Sequence, residues 1–127
     1  MIWCRFELGG ETNYGIVDVD RVIQVSGSPL GEYDVTSNIY SLEQVKLLAP
    51  IKPVMLYAAG PNYRGHVEGM AARRGSPPNY PDRPSPNYRS VHAVIGTEEN
   101  IVVPKDSAGA VQPEGQLAVV IGKKAKK

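Results

Sequence analysis

The sequence PVMLYAAGPNYRGHVEGMAARRG occupies residues 53–75 and joins an apolar run, a Gly-Pro break and a helical segment. The continuous apolar run at 53–59 begins with a proline, which is typical of a buried strand, and Gly60-Pro61 ends it. We expect a helix from about Asn62 to Arg74, with Gly75 as its C-cap because glycine adopts the left-handed conformation at low cost. The segment therefore combines strand and helix within one short stretch.

The residues before this segment indicate a small β-rich domain. Runs rich in β-branched and aromatic residues, separated by Gly9-Gly10 and by Asp20, predict three strands of an antiparallel meander at 2–8, 14–19 and 21–25. Residues 26–40 mix glycine, proline and scattered polar groups. The run SLEQVKLL at 41–48 predicts a short helix, because its Ser and Gln resemble a capping box. We place a first domain at residues 1–50 and a second at 51–127.

The residues after the helix predict a long loop followed by further strands. Five prolines lie between Pro77 and Pro86, so we expect no regular structure at 76–86. Short strands are predicted at 92–96 (HAVIG), 101–103 (IVV) and 117–121 (LAVVI). With 13 Gly and 11 Pro in 127 residues, few long helices are expected. The predicted fold class is α+β with mostly β structure.

Charge and cysteine content restrict the function classes. Fourteen Lys and Arg against 13 Asp and Glu give a formal net charge of +1, which offers no overall field for nucleic acid or an acidic membrane surface. The single cysteine, Cys4, cannot form an intramolecular disulfide or a thiolate metal site and is expected to be buried. No run approaches the ~18 apolar residues of a membrane span. We expect a cytoplasmic protein with no nucleic-acid or membrane partner.

Two places along the chain offer candidate chemistry. His66 lies in the first turns of the predicted helix, just beyond a strand end, and imidazole suits proton transfer near neutral pH. Glu114 and Gln116 are two residues apart in a predicted strand and hence on one side of it, where their oxygen atoms can face one hard cation such as Mg²⁺. Spacing alone leaves two alternatives open, a structural histidine and a solvated strand end.

The order of motifs in the second half resembles the fumarylacetoacetate hydrolase (FAH) family. NYRGHVEGM at 62–70 is followed by the Pro-rich loop, HAVIG, IVVP at 101–104 and PEGQLAVVIGK at 113–123. Members of this family show an Asn-Tyr-x-x-His helix and a Glu-Gly-Glu-Leu-Ala-Val-Val-Ile-Gly strand in the same order. The resemblance implies a small N-terminal β domain followed by the first part of a mixed β roll, which is incomplete in this chain.

The same resemblance implies a metal-dependent enzyme. Its substrates would be small 2-oxo acids or 1,3-dicarbonyl acids, with carbon–carbon hydrolysis, decarboxylation or tautomerisation through an enolate, and its cofactor Mg²⁺ or Mn²⁺. His66 would be the base that activates water or moves the proton, and Glu114 and Gln116 would stand at metal-ligand positions. Tyr63 and Arg64 would shape the turn that presents His66 and contact the substrate, with Arg64 as an anchor for a substrate carboxylate.

The sequence departs from the family pattern at both centres of chemistry. Gln116 stands where the family strand carries a second Glu, so metal binding by this chain alone is expected to be weak or absent. The family histidine is often paired with a Glu three residues later, where this chain has Gly69. Glu68, two residues after His66, lies about 200° around the helix and is expected to face away from it.

Three hypotheses follow from these matches and departures. The chain is part of a family enzyme completed by a second polypeptide, or a non-catalytic subunit that pairs with an active homologous subunit, or a binding module that uses its Lys-rich tail. A strand such as LAVVI exposes backbone groups and an apolar face to a neighbour that this sequence does not contain. We therefore expect a heteromeric or oligomeric protein.

Overall fold

The fold is mostly β, as predicted, in a computed structural model that describes residues 1–107 and 111–126. These residues contain seven β-strands, one α-helix and two short 3₁₀ helices. They cluster into two compact units, one of residues 1–51 with 95–127 and one of residues 52–94. Within the described ranges no helix combines the length and apolar character that crossing a bilayer requires.

The first unit is built on a five-stranded antiparallel sheet with strand order β4-β3-β2-β1-β5. A two-residue turn, Gly9-Gly10, joins β1 to β2, and both glycines have positive φ, which matches the backbone twist of a tight hairpin. The three predicted N-terminal strands are confirmed. The strands are β1 (Ile2–Leu8), β2 (Glu11–Asp18), β3 (Arg21–Gly27), β4 (Tyr33–Ser41) and β5 (Lys46–Leu48).

One face of this sheet carries the core. Phe6 and Val22 are fully buried, and Cys4 and Val45 complete the buried cluster. Gly15 of β2 lies directly under it, because a β-carbon there would come within 2.4 Å of Val22 Cγ1. The expected burial of Cys4 is confirmed, and this burial raises the pKa of its thiol, so the residue behaves as a small apolar side chain.

The predicted helix at 41–48 is wrong beyond its first turn. The capping box exists, since Ser41 and Gln44 exchange side-chain and backbone hydrogen bonds, but only Leu42–Gln44 are helical. The next residues form β5, in which Leu47 pairs with Phe6 of β1. Pairing with the core strand outweighs a local helix signal of one turn. Strand β4 was not predicted from the irregular composition of 26–40.

The second unit contains a two-stranded antiparallel sheet and the α-helix. Strand β6 (Leu56–Ala59) lies inside the predicted strand 53–59 and pairs with β7 (Pro86–Arg89). Helix α1 (Arg64–Arg74) is confirmed, as is its C-cap, because Gly75 has φ +63°. Residues 77–85 of the Pro-rich loop have no regular structure, and a 3₁₀ helix at Val91–Ala93 follows β7.

The strands predicted at 92–96, 101–103 and 117–121 are wrong. These residues are described and form no strand. A strand requires a neighbouring strand in a sheet, and the two sheets of the described residues are formed by β1–β5 and by β6 with β7. The apolar side chains of LAVVI are consequently exposed, with Leu117 at 82% and Val119 at 74%.

Candidate functional site

His66 lies in the first turn of α1. Tyr63 is the N-cap in an extended conformation, and its carbonyl accepts hydrogen bonds from the backbone N–H groups of His66 at 3.0 Å and Val67 at 3.1 Å. Val67 and Ala71 are the buried residues that fix the helix in its unit. His66 points elsewhere on the helix and is exposed. The first turn thus presents an accessible imidazole beside backbone N–H groups that favour negative charge.

Arg64 and Glu68 contact a residue of the Pro-rich loop. The Arg64 guanidinium carbon lies 5.0 Å from the centre of the Tyr80 ring, and the Tyr80 hydroxyl donates a hydrogen bond of 2.7 Å to Glu68 Oε1. Arg64 and Glu68 are one helical turn apart and share a face. Tyr80 lies in none of the sequence motifs. The sequence signal for its contact is weak: an aromatic residue in a proline-rich segment, close in sequence to a helix that carries Arg64 and Glu68 four residues apart.

Glu114 and Gln116 lie close together, but the strand that was expected to place them on one side does not form in this segment. Both are exposed in a segment without regular structure, and Gln116 Nε2 donates a long hydrogen bond of 3.4 Å to Glu114 Oε2. The two residues belong to the first unit, whereas Tyr63, Arg64 and His66 belong to the second. The structure thus groups the predicted site residues into two sets.

These residues do not form a complete site for a divalent metal. Among residues 1–107 and 111–126, no group of three or more His, Cys, Asp or Glu side chains is placed to hold an ion. Glu114 supplies one carboxylate, and the Gln116 amide directs an N–H at that carboxylate. Mg²⁺ demands octahedral oxygen coordination. The described residues therefore offer too few oxygen ligands for Mg²⁺. Weak metal binding by this chain stays a prediction.

The second unit is positively charged, unlike the chain as a whole. Residues 52–94 contain six Lys and Arg but two Asp and Glu, a formal net charge of +4. On β6 and β7, the rings of Tyr57 and Tyr88 lie 4.7 Å apart, and their hydrogen bond raises the pKa of the Tyr57 phenol. The positive charge of this unit favours the approach of small anionic molecules.

Comparison with protein families identifies the class of protein to which this fold and the His66 segment belong. Residues 55–127 match the family model described as fumarylacetoacetate (FAA) hydrolase C-terminal, and residues 1–50 match the one described as Rv2993c-like, N-terminal. The chain belongs to the fumarylacetoacetate hydrolase family, as the motifs indicated.

Two curated relatives illustrate this membership. Protein Rv2993c of Mycobacterium tuberculosis is 32% identical over 103 residues, which cover 81% of this chain and 36% of the relative. Oxaloacetate tautomerase YisK of Bacillus subtilis is 37% identical over 92 residues, covering 71% of this chain and 29% of the relative. The chain thus spans about a third of the length of these relatives.

Solved structures show the same fold. An uncharacterized protein from Mycobacterium abscessus has a TM-score of 0.66 at 25% identity and covers 84% of this chain and 40% of its own. The 5-carboxymethyl-2-hydroxymuconate delta-isomerase from Mycobacterium smegmatis has a TM-score of 0.59 at 23% identity and covers 75% of this chain and 35% of its own. The fold is therefore shared over little more than a third of those chains.

Proposed function

We propose that this chain is part of an FAH-family enzyme that acts on small 2-oxo acids or 1,3-dicarbonyl acids, with keto–enol tautomerisation as its leading reaction. The observation that carries the proposal is the exposed His66 in the first turn of α1, within the segment that matches the family. The similarity to an oxaloacetate tautomerase, at 37% identity over 71% of the chain, favours tautomerisation over carbon–carbon hydrolysis or decarboxylation.

In this proposal His66 moves the proton. Conversion of enol to ketone removes a proton from the enol oxygen and adds one to the far carbon of the C=C bond. The C–O bond becomes a carbonyl and the C=C bond becomes single, and no bond between heavy atoms is formed or broken. An imidazole can accept the first proton and a protonated imidazole can return it. The positive end of the α1 dipole favours the negative charge that develops on the substrate oxygen between the two transfers.

The charge of the second unit supports an acidic substrate. A net charge of +4 over residues 52–94 raises the local concentration of a dicarboxylate. Arg64 and Tyr63 remain the proposed substrate contacts at the entrance of the helix. Arg64 is, however, already held over the Tyr80 ring, so it would have to bind a carboxylate while keeping that contact or after leaving it.

The complete site requires groups beyond those described. We propose that the remaining metal ligands and substrate contacts come from further residues of the natural protein or from a second polypeptide. This fits the finding that the chain spans about a third of the length of its relatives. Mg²⁺ or Mn²⁺ is the proposed cofactor, with Glu114 as one ligand, and such an ion supplies charge stabilisation for an enolate. We also propose a cytoplasmic location, because a free, buried cysteine such as Cys4 is typical of proteins in a reducing compartment.

Two observations favour the alternative of a non-catalytic partner subunit. Glu68 is bound by Tyr80, and Gln116 adds no charge beside Glu114. The carboxylate nearest to His66 in the sequence is therefore engaged, and the second carboxylate of the family strand is missing. In this case the chain would pair with an active homologous subunit and stabilise it.

The experiment is a substrate panel with the natural protein, purified with any chain that accompanies it. Enol loss from oxaloacetate is followed by ultraviolet absorbance, and acylpyruvate cleavage in parallel, with Mg²⁺ or Mn²⁺ present. We expect turnover of a 2-oxo acid, fastest for tautomerisation. If a folded, metal-loaded protein turns over no member of the panel, the proposal is contradicted. The non-catalytic partner subunit is then the remaining hypothesis.

A further inference from the structure

The Pro-rich loop is fixed at both of its ends. At the start, the backbone N–H of Ser76 donates to the Ala71 carbonyl at 3.0 Å, which ties the loop to the end of α1. At the other end, the N–H of Gly60 donates to the Ser85 carbonyl at 2.9 Å, and Pro86 enters β7. The intervening residues are exposed, so any contact at the middle of the loop decides whether it lies on the helix.

Tyr80 makes that middle contact in two ways. Arg64 covers the face of its ring at 5.0 Å from the centroid, and its hydroxyl donates to Glu68 Oε1 at 2.7 Å. A hydrogen bond to a carboxylate is stronger than one between neutral groups, and a cation over an aromatic face adds a second attraction. Because the prolines restrict the backbone of the loop, few contacts suffice to hold it.

We propose that Tyr80 is a latch that holds the Pro-rich loop on α1, and that Glu68 serves this latch and not proton transfer at His66. The second part rests on the proposed function. Glu68 and His66 are two residues apart and hence about 200° apart around the helix, while the Glu68 carboxylate is engaged by the loop. Tyr80 is thereby a positioning residue, since it immobilises the helical turn that carries His66.

The latch is tested first without any activity. Backbone ¹⁵N relaxation of this chain measures order parameters at the loop amides of Asn79, Tyr80, Asp82 and Arg83. We expect values near about 0.8, an intermediate fall in Tyr80→Phe, which keeps the ring, and values below about 0.6 in Tyr80→Ala. Tyr88→Phe is the matched control, because it removes a hydroxyl from another exposed tyrosine of the same unit. Unchanged loop order in a folded Tyr80→Ala protein would overturn the latch.

A second measurement separates the two roles of Glu68. In the complete, active protein, Glu68→Gln keeps an oxygen that can accept the Tyr80 hydrogen bond but cannot act as a base. The latch predicts that Glu68→Gln retains turnover within about threefold, that Glu68→Ala loses no more than about tenfold, and that adding Tyr80→Phe to Glu68→Ala lowers turnover no further. A loss of about 100-fold in Glu68→Gln would assign Glu68 to proton transfer and overturn that part. If the wild-type protein turns over no substrate, the proposed function fails and the relaxation measurement alone decides the latch.

Discussion

Replacement of Gly15 by alanine should destabilise the first unit through a clash in its core. A β-carbon at this position would lie 2.4 Å from Val22 Cγ1, 3.0 Å from the Ile23 carbonyl oxygen and 3.1 Å from Phe6 Cε1. Val22 and Phe6 are fully buried. Ordinary carbon–carbon contacts lie at about 3.5–4.0 Å, so one strand must move by roughly 1 Å or the Val22 side chain must turn away from residue 15.

The magnitude follows from two opposing effects. Overpacking of a filled core costs about 1–3 kcal/mol, and the lower freedom of alanine in the unfolded chain returns about 0.4–1 kcal/mol. We expect a net loss of about 1–2 kcal/mol in the free energy of unfolding, near the upper end because a backbone carbonyl is among the crowded atoms.

Urea unfolding followed by the fluorescence of Trp3, the single tryptophan, reports on the sheet that contains Gly15. Gly31→Ala is the control, since a β-carbon there meets open space at an ordinary φ and should change stability by less than about 0.5 kcal/mol. A Gly15→Ala protein as stable as the wild type would refute the packing that we describe.

Three further substitutions test other parts of the account. Val19 sits at a hairpin tip with φ +58° and an 88% exposed side chain, so Val19→Gly should raise the free energy of unfolding by about 0.5–1 kcal/mol; a loss in urea denaturation would contradict the strain. The Gly96 N–H and the Lys46 ammonium lower the pKa of the Glu99 carboxyl, so its contribution to stability is present above the ordinary value of 4.5 and disappears as pH falls through the lowered one. Wild-type stability should therefore fall more than that of Glu99→Gln between about pH 5 and pH 3, and parallel curves would exclude this role. Gln116→Glu should strengthen Mn²⁺ binding by the complete protein about tenfold in calorimetry, because hard cations are held by carboxylates; no gain would mean that residue 116 does not face the ion.

The elements that the sequence predicted correctly depend on local signals. The first three strands are runs rich in β-branched and aromatic residues that are divided by Gly9-Gly10 and by Asp20. The pairing of Ile2 with Val17 follows from the short Gly9-Gly10 turn. Helix α1 begins after Gly60-Pro61 and ends at Gly75 because both boundaries are encoded by residues with restricted or unusual backbone conformations.

The elements that it missed depend on distant partners. Residues 46–48 become a strand because β1 pairs with them, and this pairing prevents the helix that starts at the capping box from continuing. Strand β4 is irregular, since Ile23 pairs with Ile39 but Val25 with Val35, and this bulge breaks the alternation by which a strand is recognised. The run LAVVI has strand composition, but composition alone does not supply a neighbouring strand.

The identity of the candidate site residues stays a prediction from the sequence. His66, Glu114 and Gln116 stood out because their residue types recur in a known order of motifs. The hydrogen bond between Tyr80 and Glu68 could not be predicted from the sequence, because it depends on how an irregular loop of several prolines returns to the helix. Helical geometry placed Glu68 away from His66, but only the structure supplies its partner.

The most direct test of the central claim is the turnover of the complete protein after replacement of His66. His66→Ala should lower the rate of oxaloacetate tautomerisation by about 10²- to 10⁴-fold, the effect of losing a general base, without changing assembly in size-exclusion chromatography. His92→Ala, which removes the other histidine from an exposed 3₁₀ helix, should leave the rate within about twofold. Unchanged turnover in an intact His66→Ala protein would contradict proton transfer by His66 and assign the chain a non-catalytic role.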